Sequence, residues 1–176
     1  MYSEVRQDEF VCHMTEGKIG TYLEIGAWKP VITNNTYLLE QNGWTGVSFD
    51  ISTEYESAWK DQRKNPLIIA NALTYDFKEM LSNTPHIDYL QLDIEPPKNT
   101  FEMLEKILQL KTTYSVITYE TDAYVDSTYV KPSRDILQSK GYILAVSDVL
   151  CKGGPFEDWY INPEYVDVKL LQTWKR

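Results

Sequence analysis

Four apolar stretches of this chain run into a carboxylate: Thr21-Tyr-Leu-Glu24-Ile-Gly26, Val47-Ser-Phe-Asp50, Tyr89-Leu-Gln-Leu-Asp93 and Val116-Ile-Thr-Tyr-Glu120. Open parallel sheets bind ligands at the carboxyl ends of their strands, so four acids at four such ends outline one site. Gly26 follows the first acid by two residues. A missing Cβ there lets a ligand lie against the backbone, although a tight structural turn uses glycine equally well. Asp50 comes some two dozen residues later, near the ~20-residue offset at which an acid of a nucleotide-binding fold reaches a ribose diol. The competing role for Asp50 is to cap the next helix, for which Ser52 and Thr53 are also available. Asn71-Ala72 stands where such folds hold a purine ring, and an amide can both donate to and accept from the ring edge.

A second group of acids could do proton chemistry. Asp93-Ile-Glu95-Pro-Pro follows the fourth expected strand, near 87–93, at the expected switch point of a doubly wound sheet, and Glu120-Thr-Asp122 ends the fifth, near 114–120. An unpaired buried carboxylate is costly, so Asp93 should face a cleft or a cation. Asp93, Glu95, Glu120 and Asp122 are candidates for a general base acting on a hydroxyl, or for ligands of a hard divalent cation. Spacing selects neither role, and helix capping and surface ion pairs compete with both. Of the two histidines, His86 falls at the wrong end of its strand, whereas His13 lies in a segment that could fold over the site. There is no Ser-His-Asp order, H-E-x-x-H or P-loop, and Ala27-Trp28-Lys29-Pro30 lacks the later glycines of the dinucleotide fingerprint.

The elements that must position these residues alternate between strand-like and helix-like patterns, which predicts βαβ units and a mainly parallel sheet. Strands are expected near 21–25, 46–50, 67–70, 87–93, 114–120 and 142–147. Phe101, Leu104, Ile107 and Leu108 recur at helical spacing, opposite Glu102, Glu105 and Lys106, which predicts an amphipathic crossover helix over 98–110. Pro96 and Pro97 set its start. Further helices are expected over about 53–64, from Asn35 to about Gln41 with Gly43 as its stop, over 77–82 behind an Asp76 cap, and from Ser133 or Asp135 to just before Gly141. The tail, 157–171, suits a final antiparallel strand at the sheet edge. Segments 121–132 and 148–158 read as long loops of the kind that bind a second substrate, with Tyr124, Asp126, Tyr129 and Trp159 among their residues.

With 176 residues, 43% of them hydrophobic, the chain can close one core without disulfides, and residues 1–176 read as a single domain. A net charge of −9 repels nucleic acid and anionic lipid. The nearest approach to a basic cluster, Lys60-Asp-Gln-Arg63-Lys64, reads as a solvated helix face without functional weight. Two unpaired-looking cysteines, a polar amino terminus and the absence of an apolar run near ~20 residues point to a cytoplasmic protein away from membranes.

The sequence also resembles the FkbM family of S-adenosylmethionine-dependent methyltransferases. The resemblance rests on Gln7-Asp-Glu-Phe-Val, Tyr22-Leu-Glu-Ile-Gly-Ala, Asn35-Thr-Tyr-Leu-Leu-Glu, Gly43-Trp-Thr-Gly, Ile87-Asp-Tyr-Leu-Gln-Leu-Asp-Ile-Glu, Ile117-Thr-Tyr-Glu and Phe156-Glu-Asp-Trp-Tyr, spanning about 7–163 in the family's order. It implies a Rossmann-like class I methyltransferase fold, a mostly parallel sheet of seven strands with helices on both faces and the last strand antiparallel. It further implies S-adenosyl-L-methionine bound through Glu24, Gly26, Ala27, Asp50, Asn71 and Asp93, with Asn35, Ile51 and Ala72 beside them, and methyl transfer to a hydroxyl of a sugar or related small metabolite. The sequence departs from the family at Thr121, where relatives often have His, at Pro96 in place of a common Gly, and at Trp28-Lys29-Pro30. The competing readings are a nicotinamide-dependent oxidoreductase, disfavoured by the glycine-poor first turn, and a non-catalytic domain that kept the fold. The acceptor, a divalent cation and the oligomeric state are left open by the residues.

Overall fold

The computed structural model describes residues 2–175. In chain order the elements are α1 (Gln7–Met14), β1 (Thr21–Ile25), α2 (Tyr37–Gln41), β2 (Thr45–Asp50), α3 (Glu56–Gln62), β3 (Leu67–Ile69), α4 (Phe77–Met80), β4 (His86–Leu92), α5 (Pro97–Ile107), β5 (Thr113–Glu120), α6 (Val130–Ser139), β6 (Ile143–Cys151), β7 (Gly154–Ile161) and α7 (Leu170–Thr173), with a 3₁₀ turn at Ser127–Tyr129 before α6. The strands form one seven-stranded sheet in the order β3-β2-β1-β4-β5-β7-β6. β1 to β5 pair in parallel, and β7 runs antiparallel to both of its neighbours.

Alternation along the central strands divides the core. Leu23 and Ile25 of β1, Leu90 and Leu92 of β4, and Ile117 and Tyr119 of β5 pack beneath α4, α5 and α6. On the opposite face Tyr22, Tyr89, Val116, Trp159 and Ile161 meet Phe10, Val11 and Met14 of α1 and Leu39 at α2. Fully burying one such large side chain is worth about 1.5–3 kcal/mol, so each layer of helices is held mainly by its apolar stripe. The crossover helix follows its expectation closely: α5 starts at Pro97 and buries Met103, Leu104 and Ile107. Asp76 caps α4 by accepting a hydrogen bond from the Glu79 amide at 3.0 Å.

Three expectations need correction. The final antiparallel strand is not an edge strand over 157–171; it spans 154–161 and inserts between β5 and β6. Its residues Phe156 to Ile161 are all buried, so it has the two covered faces of a central strand, while the more exposed β6 takes the edge. The segment 148–158 is therefore not a long loop but a hairpin, closed at Lys152 and Gly153, whose positive φ angles of 50° and 88° let the chain reverse in two residues. Finally, α6 begins at Val130, ahead of Ser133, and α1 and α7 were not anticipated.

At the end of β1, Gly26 has φ +90°, and a Cβ built there would lie 1.5 Å from the carbonyl oxygen of Asp93. The glycine is thus demanded by the approach of β1 to β4, where the Asp93 amide donates to Ile25 O at 2.9 Å. Gly26→Ala should lower stability by about 3 kcal/mol or more, because the overlap is with backbone and the left-handed φ adds its own cost. Urea unfolding checks this; a loss below about 1 kcal/mol would show that β1 and β4 can separate at this point.

Candidate functional site

The carboxyl ends of β1 to β5 open into a cavity of about 540 Å³. Of the residues singled out in the sequence, Gly26, Asp50, Ile51, Asn71, Ala72, Asp93, Glu95 and Glu120 line it. Glu24, Ala27, Asn35 and Asp122 do not appear in its wall.

On the side formed by β1, β2 and β3, the turns are held by their own backbone. The amides of Gly26 and Ala27 both donate to Phe49 O, at 2.9 and 3.0 Å. Asp50 is oriented from two directions: its Oδ2 accepts from the Trp28 amide at 2.7 Å and its Oδ1 from the Ser52 amide at 2.8 Å. A carboxylate has about four acceptor positions, so two remain for a ligand. Asn71 uses its Oδ1 to accept from the Leu73 amide at 2.9 Å, which makes the turn that sets its side chain at the rim. Ile51, 70% exposed, and Trp28, 49% exposed, flank this side of the mouth. Trp28 was not foreseen as a site residue. Its φ of 49° turns the ring outward, where Tyr55 packs edge-on at 6.2 Å and the Lys29 ammonium lies 3.8 Å from the ring centre.

Behind this wall lies a buried polar network. Glu24 accepts hydrogen bonds from Ser48 Oγ at 2.6 Å, Thr36 Oγ1 at 2.9 Å and Asn34 Nδ2 at 3.2 Å. Burial pushes its carboxyl above the usual range, and the nearby Arg63 guanidinium is the largest opposing influence. Arg63 corrects the expectation of a solvated basic face. Its side chain is fully buried: Nε donates to Glu40 at 3.0 Å, Nη1 to Pro30 O and Asn34 Oδ1 at 2.9 Å, and Nη2 to Tyr22 Oη at 3.0 Å and Thr36 Oγ1 at 2.9 Å. Arg63 is the first residue past α3, in extended backbone, so it does not follow the helix face that carries Lys60. Glu24, Asn34 and Arg63 together pin the loop 26–36 from beneath.

The side formed by β4, β5 and β7 is strongly acidic. Glu120 and Glu157 are direct cross-strand partners, 6% and 1% exposed. Such partners hold their Cβ atoms about 4.5–5.5 Å apart and point to the same face. Glu157 accepts from Gln7 Nε2 of α1 at 2.9 Å and from Trp159 Nε1 at 2.6 Å, yet burial raises its carboxyl to about 7, with Glu4 and Asp122 adding to the rise. Burial also raises Asp93 well above its ordinary range, assisted by Glu157, Asp122, Glu95 and Glu4. Glu95 is raised by burial and by Asp122. Asp122, 2% exposed, keeps a buried Oδ1 without a hydrogen-bond partner. Glu4 and Lys152, an ion pair at 2.9 Å, close this end together with Tyr124 and Phe156. Glu157 and Glu4 went unnoticed in the sequence; the alternation of Glu157 with Trp159 and Ile161 in a strand was the available signal.

Several other candidates fall elsewhere. Trp159 is buried against Phe10 at 4.7 Å, Tyr129 packs on Phe101 at 5.5 Å, and Asp126 caps the 3₁₀ turn, so Tyr124 alone of the loop residues proposed for a second substrate reaches the cavity. His13 bonds to Leu170 O and Thr173 Oγ1 at the tail, and His86 stacks on Tyr165 at 4.0 Å, at the opposite ends of the strands. Among the described residues no group of three or more His, Cys, Asp and Glu is arranged to hold a metal ion. No helix among them is long and apolar enough to cross a membrane.

No family model and no curated protein matches the sequence. Solved structures do match its fold. A Burkholderia thailandensis 1,6-didemethyltoxoflavin-N1-methyltransferase, with bound 1,6-didemethyltoxoflavin and S-adenosylhomocysteine, superposes with a TM-score of 0.55 at 12% identity, covering 92% of this chain and 79% of that one. An rRNA methylase of Streptococcus thermophilus gives 0.60 at 14% identity over 88% and 93%. A TehB-like S-adenosylmethionine-dependent methyltransferase of Corynebacterium glutamicum gives 0.56 at 10% identity over 89% and 87%. The chain has the class I methyltransferase fold. The antiparallel β7 between β5 and β6 separates it from the six-stranded dinucleotide-binding order 3-2-1-4-5-6.

Two outcomes follow for this methyltransferase fold. Arg63→Met leaves buried Glu40 and Glu24 without their cation and should cost about 3–5 kcal/mol in urea unfolding; a change under about 1 kcal/mol would mean that the network is dispensable. Glu157, with a folded-state value raised to about 7, holds its proton in the folded chain where the unfolded chain has released it. Its contribution is fully present below about pH 4.5 and lost as pH rises through about 7. Wild type should therefore lose more stability between pH 5 and pH 8 than Glu157→Gln, and equal losses would contradict the assignment.

Proposed function

We propose that this chain is a cytoplasmic S-adenosylmethionine-dependent methyltransferase, one domain over residues 1–176, that methylates a hydroxyl of a sugar or related small metabolite, as the resemblance to the FkbM family implies. The observation that carries the proposal is the convergence of Gly26, Asp50, Asn71 and Asp93 on one cavity at the strand ends. The cavity also suits the donor chemically: oriented acceptors at Asp50 fit a ribose diol, Ile51 and Ala72 offer apolar surface to a purine, and the carboxylates of the opposite wall favour a cation.

S-adenosylmethionine supplies an electrophilic methyl group on a positively charged sulfur. The protein's own tasks are then to position donor and acceptor and to receive the hydroxyl proton. Asp50 holds the ribose, while Gly26, by letting β1 close onto the Asp93 backbone, sets the cavity floor between β1 and β4. Burial raises the carboxyls of Asp93 and Glu95 above the ordinary range, with Asp122 among the neighbouring charges that add to it, which makes each a stronger base than an ordinary carboxylate. Glu120 in the wall and Asp122 behind it are the other candidates for that role. The 1,6-didemethyltoxoflavin-N1-methyltransferase holds a small molecule and the other neighbour is an rRNA methylase; the carboxylate-rich wall and the net charge of −9 support the small-molecule reading here.

Isothermal titration with S-adenosylhomocysteine and, separately, with NAD tests the proposal. S-adenosylhomocysteine should bind and NAD should not. Asp50→Ala should weaken S-adenosylhomocysteine by roughly tenfold or more, as expected when hydrogen bonds to a charged group are lost. Absence of any binding, or full affinity in a folded Asp50→Ala protein, would refute the reading or the assignment respectively.

A further inference from the structure

Trp28 belongs to neither apolar core and leaves 49% of its surface exposed, yet it stands in the cavity wall. Its φ of 49° lies in the left-handed region, which glycine and asparagine enter readily and a bulky side chain rarely does. Strain of this kind persists only where the surroundings over-determine it, and it gathers at ligand clamps. Here the restraints are explicit: the Pro30 carbonyl is tied to the buried Arg63 at 2.9 Å, and the Trp28 amide to Asp50 Oδ2 at 2.7 Å. The ring itself is braced by Tyr55, edge-on at 6.2 Å, and by the Lys29 ammonium, 3.8 Å from its centre. Neither of these two is among the described residues of the cavity wall, so the ring is held from outside and presented at the mouth.

We propose that the Trp28 indole is a binding surface for the adenosyl part of the donor, closing over the ribose that Asp50 holds. The assignment rests on the methyltransferase reading and adds a contact that the resemblance to the FkbM family does not supply, because the sequence departs from that family at Trp28-Lys29-Pro30. One residue joins two tasks: its amide orients the carboxylate, and its side chain borders the same cavity. Ile51, next to Asp50 in the chain and 70% exposed, borders it too, so the acceptor for a sugar diol is accompanied by two large apolar groups left open. A nucleoside matches that combination, with hydroxyls on its sugar and flat apolar faces on its base. The ring also works against another class of ligand. Gly26-Ala27-Trp28 puts tryptophan where the dinucleotide fingerprint has its second glycine, the residue that lets a pyrophosphate reach the backbone. An indole there keeps a pyrophosphate off the peptide, while an uncharged adenosine gains a surface to pack on.

The test titrates wild type, Trp28→Gly and Trp28→Phe with S-adenosylhomocysteine and with 5′-methylthioadenosine, which keeps the adenosine and lacks the amino-acid tail. Glycine takes the left-handed φ without strain, and both variants keep the amide that orients Asp50, so a loss of affinity belongs to the ring. Trp28→Gly should weaken both ligands about tenfold or more, the scale on which a stacked aromatic contributes to nucleotide binding, and Trp28→Phe should stay within about threefold of wild type. S-adenosylhomocysteine should also quench the indole emission of wild type. Trp28→Phe should abolish the quenching, because Trp28 is the only tryptophan among the described residues of the wall and Trp44, Trp59 and Trp159 are buried. Wild-type affinity in Trp28→Gly, a loss confined to S-adenosylhomocysteine, a Trp28→Phe protein as weak as Trp28→Gly, or quenching that is absent in wild type or survives in Trp28→Phe would each overturn the assignment while leaving the methyltransferase reading intact. Failure of S-adenosylhomocysteine to bind wild type would remove both.

Discussion

Arg63 uses all of its N–H groups inside the protein, on Glu40, Pro30, Asn34, Tyr22 and Thr36, and through them sets the course of the chain from the end of β1 to α2. That stretch contains Gly26, Ala27 and Trp28, so the wall where Asp50 is exposed takes its shape from a cation with no contact with the cavity. A buried guanidinium is tolerable only when every donor is satisfied and opposite charge is near, and Glu40 with Glu24 meets both conditions. The acid that opens the strand-end pattern thus serves the loop beneath the site, and the site proper begins two residues later.

The two halves of the cavity solve different electrostatic problems. On the β1–β3 side a few oriented dipoles hold one carboxylate, Asp50, ready to accept hydrogen bonds. On the β4–β7 side several carboxylates sit close together, and burial, with the charge of Asp122 beside them, raises Asp93, Glu95 and Glu157. The first arrangement suits hydroxyl donors; the second suits positive charge.

The position of β7 connects these halves to the fold. Inserted antiparallel between β5 and β6, it brings Glu157 opposite Glu120 and lets Gln7 of α1 reach across to it. It also carries Phe156 and, through its hairpin with β6, Lys152 to the cavity mouth. A strand at the sheet edge would have left Glu120 beside a different neighbour and the acid wall half built.

Much of this was legible in the chain itself. The parallel strands, the amphipathic α5 and the acids at four strand ends follow from local periodicity and from the rule that open sheets bind at their carboxyl ends, both of which depend on residues near one another in sequence. Gly26 and Asp50 were readable for the same reason. What tertiary structure alone decided was which carboxylates face the cavity and which face the core. Glu24 and Asp50 end adjacent strands, yet one is enclosed by Ser48, Thr36 and Asn34 and the other lines the cavity. Arg63 looks like surface charge until Glu40, 23 positions away, is placed against it, and Glu157 is unremarkable until it is paired with Glu120. Charge and burial are properties of an environment assembled from distant segments, so the sequence names the acids and only the packed sheet assigns them their work.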